Sequence, residues 1–425
     1  MSDTTQESSP KSTDYDAVIV GASLAGCTTA IMLGRAGAHV ALVEKQPDPT
    51  AYKRVCSHFI QASAVPTLER LELLDPILAA GGVRSRIRIW TRWGWIDPSS
   101  YPAGYAVNLR RERLDPLLRE LAAATPGVEL VLGRTASGLL REGSAIAGIS
   151  VRDPAGEEAE LRGRLVVGAD GRDSRIAELA GVAEKTLPHG RFAYGAYFEG
   201  PWPAGAPDST VWFLNPHWAA AFPTDDDLVF YAAMPTKERL PEFKRDPDAA
   251  LLSFLAELPD APPIRAERRV GATIGKLEMP NRVRRPVAPG LALVGDAALA
   301  TDPLFGVGCG WAIQSAEWLA DCVGPALRGK ESLESGLTRY RRRHAHELRG
   351  HAYFIHDYAT GRRLRPSERM MFAAATRDPK VATAVEAVAT RRAKPIRTVA
   401  KVVPRAISVN VRHALDRRSR ADART

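Results

Sequence analysis

Two rhythms of apolar residues alternate along the start of this chain. Asp16-Ala17-Val18-Ile19-Val20 and the stretch from His39 to Val43 are short, nearly unbroken apolar runs, as strands buried on both faces require. Between them, Cys27 to Arg35 has helical spacing, so the predicted order is strand, helix, strand. Leucines and a valine at helical intervals predict a further helix from Ser63 to Leu74. Ile87 to Ile96 reads as one extended strand, with Trp93 and Trp95 on one face and Trp90 on the other. A strand ending at Asn108 to Arg111, a helix from Glu112 to Ala124 and a buried strand from Val128 to Leu132 follow. Ser137 to Arg164 mixes glycine turns with short apolar runs, the pattern of an antiparallel meander, before Leu165-Val166-Val167-Gly168 returns to the buried type.

The pattern changes from Arg191 to Met234. Eleven aromatic residues lie there on short segments broken by prolines, which predicts an antiparallel sheet with an aromatic face. Pro247 to Leu258 is helical and Arg265 to Met279 rejoins the sheet. Leu291 to Val294 repeats the buried-strand pattern, a long helix runs from Trp311 to about Val323, and Glu331 to Tyr358 is a charged helix. Arg362 to the end adds helix of weak apolar periodicity, expected to pack across the first domain or to fray. The fold class is therefore α/β, with a parallel-sheet domain interleaved with an antiparallel-sheet domain and a helical C-terminal region. The expected division is a disordered leader over residues 1–13; a nucleotide-binding domain over 14–80, 107–185 and 280–330; a substrate domain over 81–106 and 186–279; and a C-terminal region with a basic tail over 331–425.

Charge narrows the partners. The net charge of +9 suggests nucleic acid until it is located: from Arg391 to Thr425 there are eleven Lys or Arg and two Asp, so the whole surplus sits in that tail. A neutral body with a basic tail and no aromatic interleaving argues against nucleic acid. No run of about 18 apolar residues exists, so no membrane span is expected, and a cytoplasmic protein, monomer or homodimer, acting on a small molecule is the reading. Cys27, Cys56, Cys309 and Cys322 lack paired ligand spacing, so reduced thiols and no metal are expected.

Candidate chemistry lies where the first strand ends. Gly21, Ser23, Leu24, Ala25 and Gly26 form a turn opening a helix, and Glu44 followed by Lys45 closes the next strand. Gly21 suits the tight turn and Gly26 close helix packing, which leaves backbone N–H groups for a pyrophosphate; Glu44 is spaced to accept from a ribose diol. That is a Rossmann-like, glutathione-reductase-type arrangement for an adenine dinucleotide. The usual central glycine is Ser23. Asp296, at the end of a second such strand, needs polyol hydroxyls or a helix cap as partners.

Three separated segments together resemble the FAD-dependent aromatic hydroxylase type of flavoprotein monooxygenase, and more distantly the geranylgeranyl reductases and flavin halogenases. They are the turn at Gly21 to Gly26, Gly168-Ala169-Asp170-Gly171, and Gly295-Asp296 followed by Pro303, Gly306, Val307, Gly308 and Cys309. The resemblance implies FAD, with Asp170 near the flavin and the nicotinamide donor, Asp296 on the ribityl chain, and the Gly306 to Gly310 loop facing the flavin ring. Arg111 matches the family's arginine near FAD, with Arg110 and Arg113 as rivals. It further implies NADPH or NADH as a transient reductant, O2 as co-substrate, and oxygen transfer from a flavin hydroperoxide to an apolar, aromatic or polyketide-like molecule. His58, Tyr194 and His217 are candidate bases or hydrogen-bond partners for a substrate phenol, and Cys56 a candidate contact or proton donor. Two departures open alternatives. Ala297-Ala298-Leu299 lacks the histidine common in hydroxylases, and the Cys56 to His58 stretch is more similar to the reductase branch, whose reaction is reduction of a carbon-carbon double bond. Trp93-Gly94-Trp95 has the letters of a halogenase motif but lies far too early.

Overall fold

The computed structural model describes residues 13–97, 104–200, 202–203 and 208–422. The polar leader lies outside these residues, apart from Thr13, which opens the first strand. That strand, Thr13–Val20, is the centre of a parallel array: Leu291–Leu293, Glu158–Gly168, Thr13–Val20, Val40–Glu44 and Val128–Leu132 lie side by side in that order. Both faces are covered. Ala17 and Ile19 enter the main core with the helices Leu24–Arg35 and Gly308–Leu327, whereas Val18 and Val20 pack into a second cluster against Ile149, Ile176 and Leu293. The meander is Thr135–Glu142, Ala145–Arg152 and the first half of Glu158–Gly168, antiparallel throughout.

A seven-stranded sheet carries the aromatic stretch, in the order Arg269–Lys276, Ala193–Glu199, Leu228–Met234, Trp218–Pro223, Ser209–Phe213, Ile87–Thr91 and Gly94–Ile96. Residue parity splits its aromatics between two environments. Phe213, Trp218, Phe222 and Phe230 face the main core, while Phe198, Trp212 and Tyr231 pack outward with Phe243 and Phe254. The tryptophan expectation needs correcting: Ile87 to Ile96 is a hairpin, not one strand, because Thr91 Oγ1 caps a turn at Gly94. Trp90 therefore sits directly opposite Trp95, on the outer face beside Trp212, and Trp93 joins the inner core.

One helical expectation also shifts, and another narrows to the first of its two alternatives. The helix expected from Ser63 to Leu74 ends at Arg70, where Glu72 takes a left-handed φ of 53°, and a new helix runs Leu74–Ala79. The C-terminal residues form a layered roof rather than a frayed tail. Helices Leu333–Ala359, Pro366–Ala375, Pro379–Ala389 and Pro395–Asp422 pack on one another and on the main core, and Tyr340 Oη donates to the Leu293 carbonyl at 2.8 Å. Ile396, Ile407, Val411 and Leu415 remain exposed on the last helix. Among the described residues, no helix is long and apolar enough to cross a membrane.

Burial pushes three imidazoles of helix Leu333–Ala359, His344, His351 and His356, down to about 4. In the unfolded chain they titrate near 6.5, so between these values the unfolded state binds more protons. Their stabilising contribution is present above roughly pH 6.5 and is lost as the pH falls toward about 4. We expect the urea midpoint to drop on going from pH 7 to pH 5, and to drop less in His344→Leu. An equal drop in both proteins contradicts this origin.

Candidate active site

Two helices begin at one cavity with nothing of their own to cap them. Helix Leu24–Arg35 has Ser23 at its N-cap without a side-chain cap bond, and helix Gly308–Leu327 has Val307 there; neither first turn contains an acid. Each therefore offers unpaired amide N–H groups and the positive end of a helix dipole. The cavity between them has a volume of about 1130 Å³. A single drug-sized ligand needs roughly 300–1,000 Å³, so this space suits a cofactor together with a substrate.

The first helix start is built tightly. Gly21 has φ +104°, and a Cβ there would lie 2.6 Å from the Ala169 carbonyl; a Cβ on Gly26 would lie 1.8 Å from Gly21 O. Only glycine lets strand, turn and helix close this far. Glu44 accepts from Ala22 N–H at 2.9 Å and Gln46 N–H at 3.0 Å, which fixes its carboxylate at the cavity rim with lone pairs remaining for a diol. Lys45 lines the same rim. Ser23 is engaged: its Oγ accepts from Arg111 Nη2 at 2.6 Å and donates to Asp115 at 3.3 Å.

Arg111, Asp115 and Arg119 recur every fourth residue on helix Arg111–Ala123 and form a buried polar stripe. Arg111 pairs with Asp115 at 2.6 Å, and Arg119 clamps the turn by donating to the Ala22 carbonyl at 2.9 Å and to the carbonyls of Pro49 and Ala51. The i, i+4, i+8 spacing is the one mark that Asp115 and Arg119 leave in the sequence. The rivals are resolved by position: Arg110 and Arg113 turn away to Asp225 and Asp226, and only Arg111 lines the cavity.

At the second helix start, Asp296, Pro303, Gly306, Val307, Gly308 and Cys309 line the cavity. A Cβ on Gly308 would meet open space, so its backbone is free to approach a bound ring. Asp296 faces Lys53 Nζ at 3.4 Å, which holds the Lys53 ammonium above its usual pKa. Phe305 adopts a left-handed φ of 64°, rare for an aromatic residue, and is held there by Gln61 Nε2 donating to its carbonyl at 2.8 Å. Asp170 also lines the cavity: one of its oxygens accepts from Ser174 Oγ at 2.6 Å and the other from Ile176 N–H at 2.9 Å. Its carboxylate thus braces the start of helix Arg175–Leu179 while standing on the cavity lining, with lone pairs left over as at Glu44.

The four catalytic candidates separate. Cys56 lines the cavity, with its Sγ 3.6 Å from Cys309 Sγ, 3.8 Å from Arg111 Nη1 and 3.3 Å from His58 N–H. With two donors already on Cys56, Cys309 supplies the S–H. This bond first, then the Arg111 charge, pulls the Cys56 thiol well below its ordinary pKa, and the same bond first, then burial, pushes Cys309 above it. His58 is a correction. Its Nδ1 accepts from Arg111 N–H at 3.0 Å, so the neutral ring carries its proton on Nε2 and donates to Tyr197 Oη; no lone pair remains for a substrate, and the residue does not line the cavity. His217 also lies away from the cavity, accepting from Thr236 N–H at 3.2 Å. Tyr194 touches the boundary, but its ring stacks on Phe243 on the outer face of the sheet, with centroids 5.3 Å apart.

The chamber beyond the two helix starts is apolar. Ile87, Ile89, Val211, Phe213, Phe222 and Phe230 form its floor. The C-terminal helices supply the roof, through Ile355, Met371, Phe372, Val388, Val399 and Val402 among others. The weak apolar periodicity of these helices gives no sign of this contribution, because their apolar positions are divided between the main core and the cavity.

A parallel sheet with an uncapped helix start, an acid at the end of the next strand and a second helix start across one cavity is the arrangement of a dinucleotide-binding flavoprotein. The family model described as an FAD binding domain matches residues 14–349, and the chain belongs to this FAD-binding family. It is an FAD-dependent oxidoreductase. Among curated relatives, digeranylgeranylglycerophospholipid reductase 2 of Methanothermobacter thermautotrophicus is 26% identical over 77% of this chain and 83% of its own length. Aklavinone 12-hydroxylase RdmE of Streptomyces purpurascens is 27% identical over 75% of this chain and 63% of its own. Among solved structures, the flavin-dependent brominase Bmp2 superposes with a TM-score of 0.76 over 94% of this chain and 100% of its own, at 19% identity, a likeness of fold.

The thiol geometry makes a testable statement. At pH 6.5, iodoacetamide mapped by peptide mass should modify Cys56 first and Cys27 last, since burial drives the Cys27 thiol upward. Equal labelling of the two would show that Cys56 is an ordinary thiol.

Proposed function

We propose that this enzyme is a single-component monooxygenase that uses NADPH or NADH and O2 to oxygenate a sizeable, mostly apolar aromatic or polyketide-like molecule. One observation carries the reading: a single cavity runs from the two uncapped helix starts to an apolar chamber, and the two parts meet at Gly306 to Cys309. When bound, FAD supplies two-electron chemistry with a nicotinamide donor and activation of O2. The chain does the rest. The Gly21 to Gly26 turn, with Leu24 and Ala25, holds the pyrophosphate on backbone N–H groups, Glu44 takes the ribose diol with Lys45 beside it, and Asp296 exchanges Lys53 for ribityl hydroxyls. Gly306, Val307, Gly308 and Cys309 present amides and a helix dipole that favour negative charge on the reduced ring. The apolar walls exclude water and so favour oxygen transfer to substrate over loss of oxidant to solvent.

In this reading residues 14–80, 107–185 and 280–330 serve the cofactor, 81–106 and 186–279 form the chamber floor, and the helices after 331 close it. The hydroxylase relative supports an oxygenated aromatic product.

A second reading, reduction of a carbon-carbon double bond, is favoured by Cys56, whose sulfur lies at the cavity wall in a bonded pair with Cys309 and can relay a proton. The reductase relative supports it. The two separate on one experiment with the FAD-loaded protein, NADPH and a panel of apolar aromatics under labelled O2. A product carrying one labelled oxygen atom, formed only when O2 is present, is the expected result. A product that gains two hydrogens under argon would sink the monooxygenase reading in favour of the reductase.

A further inference from the structure

We propose that Arg391 is an anion anchor in the chamber roof, so that the substrate is an apolar body bearing one carboxylate or phosphate group. The inference rests on the proposed use of this cavity as the substrate chamber. Arg391 lies in the connection between helices Pro379–Ala389 and Pro395–Asp422 and lines the cavity. Every other arginine on the lining has a partner within the protein. Arg111, Arg134, Arg175 and Arg365 pair with Asp115, Asp153, Glu178 and Asp357 at 2.6, 3.1, 2.9 and 2.8 Å. Arg119 and Arg172 donate to carbonyls. Arg391 is the exception: its Nε and Nη1 are sealed from solvent and no described residue accepts a hydrogen bond from them.

The surroundings do not neutralise it. Glu347 is the nearby acid, and it is bound to Lys394 Nζ at 2.6 Å. His351 faces the same space and is held neutral, first by burial and then by Arg391 and Lys394 themselves. Burial pushes the guanidinium down to about 10, which leaves it charged at neutral pH. A charge with two nitrogens sealed from water and no partner is costly, and an anion from the ligand offsets that cost.

Its orientation is fixed from below. The guanidinium carbon lies 5.4 Å from the centre of the Trp311 ring, in the first turn of the helix that starts at Gly308. Gln61 Nε2 donates both to the Phe305 carbonyl at 2.8 Å and to the Ala389 carbonyl at 3.0 Å, tying the Arg391 segment to the loop at the proposed flavin edge. Arg391 itself takes a left-handed φ of 61°, a conformation that glycine would adopt more cheaply. An anion held here fixes the distance from the anchored end of a substrate to the site of reaction.

The test uses FAD-loaded protein and three probes of one shape: 2-naphthoate, 2-naphthyl phosphate and the neutral 2-naphthamide, each titrated by quenching of tryptophan fluorescence. A charge-assisted hydrogen bond predicts that the wild type binds at least one anion about tenfold or more tighter than the amide. Arg391→Met should erase that preference while leaving amide binding and FAD content unchanged, and Arg391→Lys should keep part of it. Tighter binding of the phosphate assigns a phosphorylated group and tighter binding of the naphthoate a carboxylate; either supports the anchor. Equal affinities in the wild type, a comparison that needs no variant to fold, or a preference that survives in Arg391→Met overturns it. The binding readout stands whether or not oxygen is transferred, so failure here is distinct from failure of the monooxygenase reading.

Discussion

Arg111 and Asp115 form an ion pair that is almost wholly out of water, and three parts of the molecule hang from it. Arg111 reaches Ser23 in the glycine turn and Cys56 at the chamber wall; its backbone N–H holds His58, which in turn holds Tyr197 of the antiparallel sheet. Asp115 accepts from Lys53 N–H at 3.0 Å and so fixes the segment whose lysine faces Asp296. Removing one partner of such a pair leaves a buried charge, at a cost of about 3–5 kcal/mol. The dinucleotide turn, the thiol pair and the chamber floor are therefore one mechanical unit. A change at any of them is felt by the others through these two side chains.

The fold was legible where local pattern and tertiary role coincide. Val18 and Ile19 read as buried on both faces because the strand has layers on either side, and Gly21 and Gly26 read as a cradle because sterics admit nothing else. Pattern failed where a turn intervened: Thr91 and Gly94 fold the tryptophan segment back on itself and reverse which indoles share a face. It failed again where partners are remote. Nothing near Arg391 in the sequence announces Trp311 beneath it or Gln61 tethering its neighbour.

The site candidates divide by the same rule. Backbone-driven features were readable, since a helix start recruits anions whatever surrounds it. Side-chain chemistry was not, because a histidine is a base only if its lone pair is free. His58 spends that lone pair on Arg111 N–H, and the sequence carries no mark of this. Cys56 is the converse, an unremarkable residue whose acidity comes from Cys309, distant in sequence but adjacent in space.

The roof bears on how such an enzyme diversifies. The match to the FAD-binding family ends at residue 349, whereas the chamber roof is lined by residues from His351 to Val403. The residues that match the family, floor of the chamber included, and those that line its roof are thus consecutive in the chain. A change in the last stretch can therefore reshape the roof while the residues that match the FAD-binding family stay as they are.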